Sequence, residues 1–228
     1  MWCFLFDLDG TILDTTELIL QSFEHAFREG LGQSVPREEL LRHFGRPLVE
    51  QFQIMCPDLE DSERQRLVDL YLAHNEGLHD QYVSVVPGAP EGLERLYQAG
   101  YPLGIVTSKR ENLTVQGLRL FGLDRFFQVI VHMDSTRRHK PHPEPVLHAL
   151  HLLGGLPQCS AYVGDSPYDM RAGRAAGVRT VGILYNTFTA DVLREAGADV
   201  IATSWTEVVD ILLGWAHQPE FADLRQKE

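Results

Sequence analysis

Lysine is scarce in this chain. Only Lys109, Lys140 and Lys227 occur among 228 residues, against seventeen arginines. Positive charge is short overall: 32 Asp and Glu outnumber 20 Lys and Arg, leaving a formal net charge of −12. That balance excludes the clustered Lys/Arg surface on which non-specific nucleic-acid binding runs, so no nucleic-acid partner is expected. Cysteine is sparse too. Cys3, Cys56 and Cys159 stand far apart, without CxxC or Cys/His zinc spacing, which fits a reducing compartment. No apolar run approaches the roughly 20 residues that span a bilayer. The N-terminal apolar stretch lacks a basic leader and meets Asp7 too soon for a signal peptide. A cytoplasmic protein with no membrane partner is expected. What is present is ordinary for a globular domain: 44% hydrophobic and 23% charged residues, enough for a sizeable core.

The N-terminal segment is the most informative. Phe4-Leu5-Phe6 ends abruptly in Asp7-Leu8-Asp9-Gly10-Thr11. Apolar residues favour a buried strand, whereas Asp and Gly favour turns. Asp7 and Asp9 would face the same way if the strand persisted that far. Two close carboxylates repel and call for a cation, a shared proton or a donor. Alone, this motif is as compatible with a surface turn as with a site.

Periodicity organises the rest. A strand is predicted over 3–7, then a helix opened by the capping-box spacing Asp14-Thr15-Thr16-Glu17 and closed by Gly30 and Gly32. Helices follow near 36–43, 47–55 and 61–80, with no convincing strand from 15 to 84. After Pro87-Gly88 strands and helices alternate, with strands at 102–107, 128–131, 161–163, 180–184 and 199–201. This predicts an α/β protein: a Rossmann-like doubly wound parallel sheet built from 1–14 and 85–216, interrupted by an all-helical insert over 15–84. A polar tail covers 217–228.

In open α/β sheets, ligands bind beyond the C-terminal strand ends. The first strand ends in Asp7 and Asp9, the second in Thr107-Ser108-Lys109. Lys140 follows the third, and Gly164-Asp165-Ser166-Pro167-Tyr168-Asp169 ends the fourth. Each group has a bland reading: Thr107-Ser108 as a helix cap, Lys140 as a loop cation, Asp165 and Asp169 as N-cap and first-turn acid. Four coincidences at four strand ends are a poor explanation. Several carboxylates suit a hard divalent ion, and a lysine with hydroxyls suits phosphoryl oxygens. One aspartate can attack phosphorus while a second handles protons.

These four motifs, in this order, resemble the haloacid dehalogenase (HAD) superfamily over nearly the whole chain. The resemblance implies Asp7 as nucleophile and Asp9 as general acid/base. It implies Thr107 and Lys140 as phosphate-binding groups, with Ser108 and Gly10 as further donors. It implies Mg²⁺ held by Asp7, the Asp9 backbone carbonyl and Asp165, with Asp169 close by, and it makes the insert a cap. Dehalogenases typically lack the second aspartate, which Asp9 supplies here. Phosphonoacetaldehyde hydrolases need a cap lysine, and no lysine precedes Lys109. Beta-phosphoglucomutases carry an arginine where Leu48 stands, three residues after Gly45, with Arg46 the nearest substitute. The chain resembles the HAD-type inorganic pyrophosphatases of Gram-positive bacteria at Thr16-Glu17-Leu18-Ile19, Gly104-Ile105-Val106-Thr107 and His139-Lys140-Pro141-His142-Pro143-Glu144-Pro145. The expected activity is Mg²⁺-dependent hydrolysis of pyrophosphate or a small phosphorylated metabolite through an aspartyl-phosphate, by a monomer or homodimer. Phosphoglycolate phosphatase or another phosphomonoesterase is the alternative, ahead of a mutase-like phosphotransferase or a non-catalytic phosphate-binding scaffold. Arg137-Arg138-His139 are read either as steering an anion toward the cleft or as a solvated basic loop.

Overall fold

The structure, a computed structural model, describes residues 1–185 and 187–218. Most of the expected tail therefore lies outside the described residues. In chain order the elements are β1 (Cys3–Phe6), β2 (Leu13–Asp14), α1 (Thr16–Leu31), α2 (Arg37–Leu41), α3 (Leu48–Met55), α4 (Asp61–Tyr82) and β3 (Ser84–Val85). There follow α5 (Ala89–Gln98), β4 (Leu103–Val106), α6 (Glu111–Leu120), β5 (Val129–Val131), α7 (Glu144–Leu153), β6 (Ser160–Gly164), α8 (Pro167–Ala176), β7 (Arg179–Ile183), α9 (Ala190–Ala196), β8 (Val200–Ala202) and α10 (Trp205–Ala216).

Six strands form one sheet in the order β5-β4-β1-β6-β7-β8, and every neighbouring pair is parallel. Strands covered on both faces must be apolar throughout, and β1, β4 and β6 are buried along their whole length. Alternation along β1 feeds two separate cores. Phe4 and Phe6 pack with Leu93, Val209 and Trp205 on one face, while Cys3 and Leu5 pack with Val146, Leu150 and Tyr162 on the other. Trp205 stacks on Phe6 at 5.4 Å and its indole N–H donates to the Thr11 carbonyl at 2.8 Å. That bond ties the last helix to the loop after β1.

The first four helices have their own core around Phe23, Phe27, Phe52, Leu67 and Tyr71. Phe23 lies 4.7 Å from Tyr71 and 5.2 Å from Phe52, ring to ring. The chain enters and leaves this helical unit through a two-residue antiparallel ribbon, Leu13 opposite Val85 and Asp14 opposite Ser84. So short a ribbon leaves no periodic signal in the sequence. The expected capping box of α1 does not form. Thr15 is the N-cap and makes no side-chain cap bond; Asp14 Oδ1 accepts from the Thr16 N–H at 3.0 Å instead. Asp14 is held in the ribbon, and the Tyr185 hydroxyl donates to its other oxygen at 2.9 Å. Gly32 does end α1, in the left-handed conformation. Among the described residues no helix is long and apolar enough to cross a membrane.

Candidate active site

β1 lies between β4 and β6, so the residues following these three strands are forced together at one edge. Asp7 follows β1 directly, Thr107 follows β4, and Asp165 follows β6. Lys140 arrives from the loop between β5 and α7 and is almost wholly enclosed. Its Nζ lies 2.8 Å from Asp7 Oδ1 and 2.7 Å from Asp169 Oδ1, with the Val106 carbonyl at 3.5 Å. Asp7, Asp165 and Asp169 each offer an oxygen within 4.8 Å of the others.

Asp169 sits in the first turn of α8 and is fully buried. The N-cap of that helix is Ser166, not Asp165, and Ser166 and Asp169 form its capping box. Asp169 Oδ2 accepts from the Ser166 N–H and hydroxyl, and Oδ1 takes Lys140 with the Tyr162 hydroxyl 2.9 Å away. Both oxygens are engaged by protein groups. Asp169 thus braces Lys140, and it also belongs to the acidic trio that could hold a metal ion. The capping role also leaves Asp165 free to face the cleft.

The expectation of Gly10 as a phosphate donor is corrected. Its N–H donates to the Leu13 carbonyl at 2.7 Å, so it is not an available phosphate donor. A side chain there would place Cβ 2.2 Å from Asp165 Oδ2, and φ is +76°. Glycine is required because the turn is left-handed and Asp165 lies against it. The strand stops at Phe6, so Asp9 does not share a strand face with Asp7.

Burial is the main force on the acids. It pushes Asp7 up to about 7, with the nearby Asp169 charge adding and Lys140 opposing. Asp165 is likewise raised well above the carboxylate range by burial and by Asp169 and Asp7. Burial pulls Lys140 down, but the charges of Asp169 and Asp7 outweigh it and hold the ammonium above its ordinary value. Three carboxylates against one ammonium leave negative charge uncompensated, and the oxygen donors are those a hard divalent cation takes.

Asp9 stands apart from this trio. Its Oδ1 pairs with Lys109 Nζ at 2.9 Å. Sequence reasoning did not assign Lys109, although its rarity and its place after a strand were signals. Thr107 is buried and its hydroxyl accepts from the Lys109 N–H at 3.2 Å. The buried Ser108 hydroxyl has no protein partner among the described residues and lines the cleft.

The helical unit closes over this edge and leaves a cavity of about 140 Å³. Its contribution is largely apolar, through Ile19, Leu48, Val68 and Leu72. Arg46 also lines the cleft, with its guanidinium over the Tyr168 ring at 4.9 Å. Arg137 and Arg138 are exposed and outside the cleft lining; Arg138 meets His142 at 2.9 Å.

Residues 4–183 match the family model for haloacid dehalogenase-like hydrolases. A pyrophosphatase, PpaX, from Halalkalibacterium halodurans is 36% identical over 91% of this chain and 95% of its own length. The pyrophosphatase PpaX of Bacillus pumilus is also 36% identical, over 91% of this chain and 94% of that protein. A haloacid dehalogenase-like family hydrolase from Streptococcus pneumoniae superposes with a TM-score of 0.82 at 26% identity, covering 92% of this chain and 98% of the other.

Proposed function

This chain belongs to the haloacid dehalogenase-like hydrolase family, and on that premise we propose that it hydrolyses inorganic pyrophosphate, with Mg²⁺, through a phosphoryl-Asp7 intermediate. The observation that carries the reading is the Asp7–Lys140–Asp169 cluster, sealed at the strand ends with Asp165 beside it. The printed names of the relatives supply the substrate.

In this reading Lys140 fixes Asp7 by one oxygen at 2.8 Å and leaves the other to attack phosphorus. The bond from phosphorus to the bridging oxygen breaks, and Asp9 delivers a proton to the departing phosphate. Asp9 then takes a proton from the water that attacks phosphoryl-Asp7, which releases phosphate and restores the carboxylate. Thr107 and Ser108 direct their hydroxyls at the phosphoryl oxygens, and Lys140 turns its weakest bond, 3.5 Å to Val106, toward the same group. Asp7, Asp165 and the Asp9 carbonyl would hold Mg²⁺, with Asp169 bracing Lys140 beside them. Bound Mg²⁺ supplies the positive charge that lets an anionic nucleophile meet an anionic substrate. The helical unit, 15–84, serves as a cap that excludes water from the acyl phosphate.

One observation favours a second substrate. The Ile19, Val68 and Leu72 side of the cleft can receive the carbon of a small organic phosphate such as phosphoglycolate. The test is phosphate release from a panel of phosphate compounds with Mg²⁺. Pyrophosphate should be turned over fastest, and Asp7→Asn should abolish turnover of every substrate. A pyrophosphate rate no better than a generic phosphomonoester removes the first choice, and surviving activity in Asp7→Asn removes the mechanism.

A further inference from the structure

Lys140 cannot serve both ends of a substrate. Its ammonium is spent on Asp7 and Asp169 at the floor of the cleft. The facing wall is mostly apolar, and the amide nitrogens of its Gln51 and Asn75 are engaged inward. The Gln51 amide donates to the Arg46 carbonyl, and the Asn75 amide donates toward Ser22 and Tyr71. Arg46 lies over the Tyr168 ring, and its buried Nε has no hydrogen-bond partner among the described residues. Lys109 remains. Its side chain is only 8% exposed, it lines the cleft, and Asp9 is its one side-chain partner among the described residues. An ammonium carries three N–H donors, so Asp9 leaves it well short of saturation.

We propose that Lys109 receives a second anionic charge carried by the leaving group, exchanging Asp9 for it, and so selects phosphoryl compounds whose leaving group is itself an anion. This rests on the phosphohydrolase reading of the same site and names its substrate class. The exchange follows from geometry. The ammonium sits on Asp9, the carboxylate to which the proposed mechanism gives proton delivery to the bridging oxygen, so a leaving group beside Asp9 lies beside Lys109. Moving Lys109 onto that group also uncovers Asp9 Oδ1. A neutral leaving group gives the ammonium nothing in exchange and leaves it on Asp9. A carboxylate or a phosphate serves Lys109 equally; the shared chemistry is an anionic oxygen.

The test compares wild type with Lys109→Met and Lys109→Arg on three Mg²⁺-dependent reactions: pyrophosphate, a phosphate ester of a small hydroxy acid, and an ester of a neutral alcohol of similar size. A lost charge-assisted hydrogen bond corresponds to about a ten- to hundredfold change. Lys109→Met should lower kcat/KM by about that factor for both anionic leaving groups, with KM rising, and should alter the neutral ester several-fold less. Lys109→Arg should recover part of the loss. Titration calorimetry with methylenediphosphonate against methylphosphonate gives a readout independent of turnover. Only the diphosphonate should lose affinity in Lys109→Met. Equal losses on all three substrates, or unchanged diphosphonate binding, overturn the proposal and assign the second anion elsewhere, with Arg46 the next cation. If pyrophosphate is not hydrolysed but the hydroxy-acid ester is, and shows the Lys109 dependence, the pyrophosphate reading fails while this one stands. If wild type prefers the neutral ester, this proposal fails and the phosphohydrolase reading stands.

Discussion

The two walls of the cleft are built on opposite principles. On the sheet side every oxygen of Asp169 has a donor and Lys140 bridges two acids. On the helical side stand Ile19, Val68 and Leu72, with few fixed charges. The first wall is preorganised, as stabilisation of developing charge requires. The second offers shape, exclusion of water and little else. In the proposed reaction, bond-breaking belongs to the sheet edge and choice of substrate to what faces it. Lys109 belongs to the sheet by chain position and to the choosing side by chemistry.

The comparison breaks most visibly at Lys140. Lys140→Met leaves Asp7 and Asp169 buried without their cation, and breaking a buried pair costs about 3–5 kcal/mol. Turnover should fall by about a hundred- to a thousandfold, as for loss of one preorganised donor. Urea unfolding and phosphate release measure the two effects. Next comes Gly10→Ala. The new Cβ collides with Asp165, so Mg²⁺ affinity should drop about ten- to a hundredfold, read from the Mg²⁺ dependence of the rate.

The sheet side was legible in the sequence where the chain itself supplies the order. Asp7, Thr107 and Asp165 each follow a buried apolar run, and parallel neighbours must bring such ends together. Contacts that depend on side-chain direction were not legible. The Lys109–Asp9 pair joins residues a hundred positions apart and depends on how a turn re-aims Asp9 after β1 ends. The family resemblance puts Asp169 close to the metal; that its oxygens also hold Lys140, Ser166 and Tyr162 depends on side-chain packing that no sequence pattern carries. The family resemblance makes Gly10 a donor, whereas here its N–H closes the turn onto Leu13. The β2–β3 ribbon is too short to carry any period.

A subtler effect is the pH dependence of stability. Asp7 is raised from 3.8 to about 7, and Asp165 is also raised, burial leading in both. Groups raised in this way bind protons more tightly folded than unfolded. For Asp7 that stabilisation is complete below about 3.8 and is lost as pH rises through about 7. Metal-free protein should therefore lose thermal stability over that window, and Asp165→Asn should flatten the slope. Added Mg²⁺ should raise the melting temperature more at about pH 8 than at about pH 5.5, because binding releases protons. The smallest effect belongs to the outside of the helical unit. Arg37 bridges Glu17 at 2.9 Å and Glu24 at 2.7 Å with all three side chains substantially exposed. Arg37→Ala should cost less than about 1 kcal/mol and leave turnover unchanged.

The most direct measurement is a rapid acid quench of the Mg²⁺ reaction with ³²P-labelled pyrophosphate, followed by mapping of the protein-bound label. The sheet edge as described here predicts label on the peptide carrying Asp7 within the first turnover, removable by hydroxylamine and absent in Asp7→Asn. Phosphate release with no protein-bound label in that first turnover, or with label on another residue, would contradict it.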